Sequence, residues 1–246
     1  MKWAPGYREW EPPEVLKSAL ACLWVRVVPP EGAPPTLVLP DGCVDLIWQQ
    51  GRAAYIAGPD TGPVPTPLAP GAILVGARFR PGAGGLGLGI PLKELLNRRV
   101  DLSDLQPELA RRLTATVTPS KALRRVAAIA AHLIAEGPPD VLVVRASRLL
   151  TRPQTRVEAL PRELGVSERQ LRRRFHAAVG YGPKTLQRVL RFRRFLAYVD
   201  AKSAEVDLAR AALDSGYADQ PHLTRESTRL SGLPPAALTR IRALGP

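Results

Sequence analysis

The chain has 246 residues, with 35 basic and 22 acidic side chains, a formal net charge of +13 and 45% apolar residues. That length suffices for one large core or two ordinary ones, and two cysteines exclude a disulfide-stapled scaffold of this size. The N-terminus, MKWAPGYREW, has no apolar segment after its charges, and prolines interrupt the longest uncharged stretch, Thr61 to Ala77; the expectation is a cytoplasmic chain with no membrane partner.

In chain order, residues 1–90 read as short strands between turn residues. Cys22–Val28 is an apolar run ending at Pro29-Pro30. Thr36–Pro40 and Cys43–Trp48 flank Asp41-Gly42, a dipeptide favoured in two-residue hairpins. Ala53–Ala57 stops at Gly58-Pro59 and Ala72–Phe79 at Pro81-Gly82. Strands this short at this spacing predict a small β-barrel or sandwich-like domain. Gly82–Gly89 holds five glycines in eight residues but lacks the Lys-Ser/Thr of a phosphate-binding loop, so it reads as a plain loop.

Residues 91–139 turn helical. Leu123, Val126, Ala127, Ala130, Leu133 and Ile134 fall at spacings of three and four, with Ser120 as the expected N-cap and Gly137 as the stop. The stripe serves either packing within the domain or a dimer seam, and the segment reads as a helical linker or dimerisation segment. Pro138-Pro139 is the expected boundary, because the charge balance changes there. Residues 1–139 carry 15 basic and 12 acidic side chains, whereas residues 140–246 carry 20 and 10. Arginine outnumbers lysine 29 to 6, which codon usage explains. Codon usage does not explain an imbalance confined to one half, and such a half points to a polyanionic partner.

That basic half, 140–246, contains a repeat. At an offset of 52, Leu171, Arg173, Gly180, Pro183, Leu186 and Arg188 match Leu223, Arg225, Gly232, Pro235, Leu238 and Arg240. The first unit reads as a helix over Val157–Leu164, a turn at Gly165, an N-cap at Ser167 and a second helix. Leu171, Phe175 and Ala178 face its core, leaving Arg169, Arg172 and Arg173 on another face. An exposed arginine ridge near a helix N-terminus is what the major groove receives, with guanine O6 and N7 as acceptors. A connector with Leu186, Val189, Phe192, Leu196 and Val199 on its apolar side follows. Arg188, Arg191 and Arg194 lie on another side, and the backbone phosphates are their expected partners. The second unit has Ala212 in its first helix, then Gly216-Tyr217, then Asp219 as N-cap. Gln220, His222, Thr224 and Arg225 line the exposed edge of its second helix.

These segments, LGVSERQLRRRF, GYGPKTLQRVLRFRRFLA, DLARAALDSGYADQPHLTRE and GLPPAAL, resemble the DNA-binding domain of AraC/XylS-type transcription regulators over residues 147–243. The resemblance implies two helix-turn-helix motifs joined by a helix and reading adjacent major grooves of double-stranded DNA. It implies base contacts from Arg169, Arg172, Arg173, Gln220, Pro221, His222 and Arg225. Phosphate contacts are expected from Ser167, Arg174, Lys184, Thr185, Arg188, Arg191 and Thr224. Three positions depart from the family pattern: Pro161 inside the first helix, and Leu223 and Ser227 where phenylalanine is common, which implies a thinner core in the second unit. In the first half, PDGCVDLIW and VGARFRPGAG resemble a sensor-type domain attached to some bacterial members. That implies a one-component regulator with a small-molecule effector, a second copy of the chain and RNA polymerase as further partners.

The fold class expected is therefore α+β: an N-terminal small β domain over 1–90, a helical segment over 91–139 and an all-α double helix-turn-helix domain over 140–246. Cys43, Asp45, Trp48, Arg78 and Arg80 are the candidate effector residues, Arg78 and Arg80 sharing a strand face as a cation pair for an acidic ligand. Equally, those two arginines could face solvent. Cys22 and Cys43 are either a reactive or metal-binding pair or two buried thiols. Flanking Asp41 and Asp45 raise a thiol pKa, and His132, His176 and His222 all lie far along the chain. No cofactor, metal or catalytic residue is expected. The rival reading is a DNA-damage or electrophile-responsive protein with a reactive Cys43 on a DNA anchor.

Overall fold

The computed structural model describes residues 4–83, 85–114, 117–202 and 206–243. Its first part contains strands β1 (Gly6–Trp10), β2 (Leu20–Val27), β3 (Thr36–Val38), β4 (Val44–Gln49), β5 (Tyr55–Ala57), β6 (Val64–Thr66), β7 (Ile73–Phe79) and β8 (Arg99–Asp101). Six of these form an antiparallel sheet in the order β1-β2-β7-β4-β5-β8, while β3 and β6 pair in a small sheet of their own. The short helices α1 (Leu102–Leu105) and α2 (Pro107–Arg111) lead into α3 (Pro119–Glu136).

The Asp41-Gly42 hairpin expected from the sequence does not form. Asp41 Oδ1 does accept a hydrogen bond from Cys43 N at 2.8 Å, so the chain turns there. The turn carries it from the small sheet into the large one, where β4 lies between β7 and β5. A two-residue loop could not make that crossing.

The large sheet is buried on both faces, which is why β2, β4 and β7 read as apolar runs without clean alternation. One face carries Leu23, Val25, Leu46, Trp48, Ile56, Val75 and Ala77 against Ala122, Val126, Ile129, Ala130 and Leu133 of α3. Fully burying side chains of this size contributes about 1.5–3 kcal/mol each. The α3 stripe is thus spent inside the N-terminal core and is neither a linker nor an open dimer seam. Its N-cap is Thr118 and not Ser120, because Pro119 already occupies the first turn, where its missing N–H costs nothing. Gly137 ends the helix as expected.

Across Pro138-Pro139 the axis turns by 114° into α4 (Val141–Leu150). Then come α5 (Leu160–Glu163), α6 (Glu168–Ala178), α7 (Pro183–Asp200), α8 (Leu208–Ser215), α9 (Gln220–Ser231) and α10 (Pro235–Ala243). The helix expected over Val157–Leu164 splits into a 3-10 turn, Val157–Ala159, and α5. Pro161 cannot donate to Val157, and the chain adapts by starting α5 with proline in its first turn. The two repeat units share their backbone: Gly165 and Gly216 both turn with positive φ, 67° and 85°. Phe175, Phe192, Phe195, Leu171 and Leu223 form a second core, against which Leu39 and Leu96 of the first part also pack. The architecture is α+β, an antiparallel sheet region followed by a helical one. Among the described residues no single helix is long and apolar enough to cross a membrane.

Candidate nucleic-acid interface and cavity

Helix α6 begins with a capping box. Ser167 Oγ accepts from Gln170 N at 3.2 Å and Gln170 Oε1 accepts from Ser167 N at 2.9 Å. Leu171, Phe175 and Ala178 are buried, which turns Arg169, Arg172 and Arg173 to solvent. These three have no ion-pair partner among the described residues. They open into a groove whose other wall, unforeseen from the sequence, is Pro91 and Lys93 of the first part. His176 lies one turn further along the same ridge. Its pKa is lowered by burial and by the charges of Arg172 and Lys93.

In the second unit Asp219 Oδ1 accepts from His222 N at 2.6 Å and starts α9, with Pro221 in the first turn. Gln220, Pro221 and Arg225 are exposed. His222 is half-buried, edge-on to the Tyr217 ring at 5.2 Å, and its Nδ1 accepts from Ala218 N. The hydroxyl of Thr224 donates to Gln220 O. Ser227, fully buried, costs little as a replacement for an apolar side chain because its hydroxyl donates to Leu233 O at 2.9 Å.

The expected phosphate contacts divide. Ser167, Lys184 and Thr185 stay at helix starts, Lys184 exposed. Arg174 remains half exposed but donates to Asp140 at 3.0 Å, the residue that caps α4. Arg188 does not face solvent phosphates: its Nε donates to Glu226 at 2.6 Å, so it clamps α7 onto α9. Arg191 lies over the Tyr217 ring at 5.4 Å with a buried Nε. Both corrections have one cause. Helix α7 is surrounded by α4, α8, α9 and α10, so the side chains at these positions meet protein.

The other face of the large sheet looks into a cavity of about 470 Å³, roofed by the small sheet and closed at the side by Leu196 of α7 and Arg242 of α10. Cross-strand register lays out its floor. One row is Cys22, Arg78, Asp45, Ala57 and Arg99; the next is Glu9, Trp24, Gly76, Ile47 and Tyr55. The Trp24 ring lies over Gly76, where a Cβ would come within 2.2 Å of it, and Trp24 Nε1 donates to Asp45 at 2.6 Å.

Of the five expected effector residues, the structure brings Cys43, Asp45 and Arg78 to this cavity and removes two. Trp48 is three residues from Asp45 on one strand, so it points the other way, fully buried in the α3-side core with Nε1 donating to Thr114 O. Arg80 lies just beyond β7 and spends its Nε on the carbonyls of Lys17 and Leu20. Arg78 is no free cation either. It meets Asp45 at 3.3 Å, Asp41 at 3.4 Å and Glu9 at 3.4 Å. Burial works against its charge, and Asp45 and Asp41 outweigh burial and hold its pKa above the ordinary value. Burial pushes the Cys22 thiol up to about 12, and burial with Asp41 pushes Cys43 well up, which disfavours a reactive thiolate. The described residues include no group of three or more His, Cys, Asp or Glu able to hold a metal.

Residues 160–241 match a helix-turn-helix domain family, and residues 8–101 match a domain of unknown function, DUF6597. No curated protein matches the chain. Among solved structures, ToxT from Vibrio cholerae O395 is 10% identical, with a TM-score of 0.46 over 89% of this chain and 96% of that one. The same protein bound to (E)-4-(8-methylnaphthalen-1-yl)but-3-enoic acid gives 10%, 0.48, 89% and 98%. Wild-type Vibrio cholerae ToxT with bound unsaturated fatty acid gives 12%, 0.45, 90% and 95%.

Proposed function

We propose, for a chain whose C-terminal third is an AraC-type helix-turn-helix domain, that it is a transcription regulator. In this reading it recognises a specific double-stranded DNA sequence under the control of a small effector held in the N-terminal cavity. The observation that carries the reading is the pair of capped helices, α6 and α9, each with an exposed polar N-terminal face and joined by α7. Arg169, Arg172 and Arg173 read one major groove; Gln220, Pro221 and Arg225, with His222 at their edge, read the next. Lys184, with Ser167 and Thr185, holds the backbone. RNA polymerase, and a second copy of the chain at paired sites, complete the partners. The effector acts by stabilising one arrangement of the two parts over another.

Selection of binding sites from a random DNA pool with the full chain tests this. Arg169→Ala or Arg173→Ala should cost about 1–3 kcal/mol and relax the preference at one base position, whereas Lys184→Ala should weaken all sites alike and flatten the salt dependence. Enrichment of no sequence, or equal loss across all sites for all three variants, would sink the assignment.

A further inference from the structure

We infer that the N-terminal part takes a direct share in the DNA interface: Lys93 holds a backbone phosphate at the rim of the major groove that α6 enters. The inference rests on reading α6 as a DNA-recognition helix, and it adds a contact from outside the helix-turn-helix domain.

Its first support is how firmly Lys93 is placed. Lys93 stands in a 3-10 turn, Leu92–Leu95, whose two leucines are each 1% exposed, which turns Lys93 and Glu94 outward. That turn packs on α6 and on the turn that follows it. A Cβ on Gly180 would meet Leu92 O at 3.1 Å and Pro59 at 2.6 Å, and one on Gly85 would meet Ala177 O at 3.1 Å. Backbones packed this closely have no room to slide past one another, so the Lys93 backbone is fixed against α6 and its side chain alone is free.

The second support is charge. Lys93 shares its groove with Arg169, Arg172, Arg173 and His176, and among the described residues the carboxylate on the wall is that of Glu168. Glu168 lies in the first turn of α6, where the helix N-terminus already favours a negative charge. Lys93 reaches its neighbour Glu94 at 3.5 Å, with both side chains more than half exposed. Such a surface pair contributes little and yields readily to a phosphate. The lowered pKa of His176, to which burial, Arg172 and Lys93 contribute, reflects the same gathering of positive charge. Four cations on a wall with one carboxylate repel one another, and a phosphate among them relieves that repulsion. The third support is placement along the helix. His176 is seven residues from Arg169, about 10 Å of helix. A helix that inserts its N-terminal turn into the major groove meets base edges there, while groups beside its rear half face the sugar–phosphate strand at the rim. Lys93 lies beside that rear half, near His176 and Ala177, so it positions the chain and reads no base.

Fluorescence anisotropy of the full chain with a duplex carrying its selected site, over a range of salt concentrations, tests this. Lys93→Ala should weaken binding about three- to tenfold, alike on the selected site and on a scrambled one, and reduce the slope of log K against log[salt] by about 0.9. Lys93→Arg should restore both, and Tm should stay put in either variant because the side chain is exposed. Neutral methylphosphonates, placed one at a time along the first half-site, give the direct readout. At one position the substitution should weaken the parent and leave Lys93→Ala unaffected. No such position, or an unchanged salt slope, would overturn the inference. So would tighter binding by Lys93→Ala, which would make the N-terminal part a barrier to DNA. Arg169→Ala in the same assay separates the inference from the reading it rests on. If Arg169→Ala relaxes base preference while Lys93→Ala changes nothing, the inference alone falls. If the chain prefers no sequence but Lys93→Ala still flattens the salt dependence, sequence-specific recognition alone falls; if it binds no duplex, both do.

Discussion

Arg188 and Glu226 tie the connector to the second helix-turn-helix unit by a charge-assisted pair that is mostly out of water, the two side chains being 28% and 10% exposed. Removing either partner, by Arg188→Ala or Glu226→Gln, should cost about 2 kcal/mol in urea denaturation near neutral pH. The salt dependence of DNA binding should stay as it was, unlike that of Lys184→Ala. The pair also sets a pH dependence. The hydrogen bond from Arg188 holds the Glu226 carboxyl below its ordinary 4.5, against the effect of burial. The stabilisation is therefore present above that ordinary value and is lost as pH falls through the folded one. The gap between parent and variant should close in acid; a gap that persists there would refute the role. Nothing local in the sequence marks Arg188 for this, because its partner lies 38 residues away. Trp48 is a different case. Three residues from Asp45 on one strand, it falls on the opposite face by the period of two, which the sequence alone shows.

Helices were far more legible than sheets. The capping residue Ser167, the apolar set Leu171, Phe175 and Ala178, and the glycine turns all act within one or two helical turns, so spacing alone locates them. Ser167→Ala should therefore cost about 1 kcal/mol in stability. It should weaken DNA binding more than that alone accounts for, since Arg169 sits in the turn the box holds; thermal melts and DNA titrations of the same sample check both. The β3–β6 sheet was not legible. Its strands are three residues long, Pro65 stands in the middle of one, and the pairing spans 26 or more residues. Asp41-Gly42 marks a real turn, but which strands a turn joins is decided by the cavity and core on either side of it. The cavity itself was half legible: Asp45 and Arg78 were identified, while Trp24, Glu9 and Arg242 enter through register and tertiary contact.

At the scale of the molecule, the two parts meet at α6 and at the cavity, and both meetings have consequences. On α6, His176 has Arg172 and Lys93 nearby, and burial with these two charges depresses its pKa. In the folded chain it resists protonation, so it costs stability as pH falls through its ordinary 6.5. A DNA phosphate in the groove would add negative charge beside it and would raise its pKa. DNA binding should then take up a proton and tighten as pH falls from about 7.5 to about 6. His176→Asn should flatten that trend in fluorescence anisotropy; an unchanged trend would place His176 off the DNA. At the cavity, Leu196 sits on α7, 13 residues from Pro183 beside the first reading unit, about 20 Å of unbroken helix. Were α7 and the helices packed on it to tilt by about 5°, the end 20 Å away would move by about 1.7 Å, half of the roughly 3.4 Å rise of one base pair. A ligand against Leu196 would then change which separation of two half-sites fits best, choosing between operators by their phase on the duplex while the letters each helix reads stay the same.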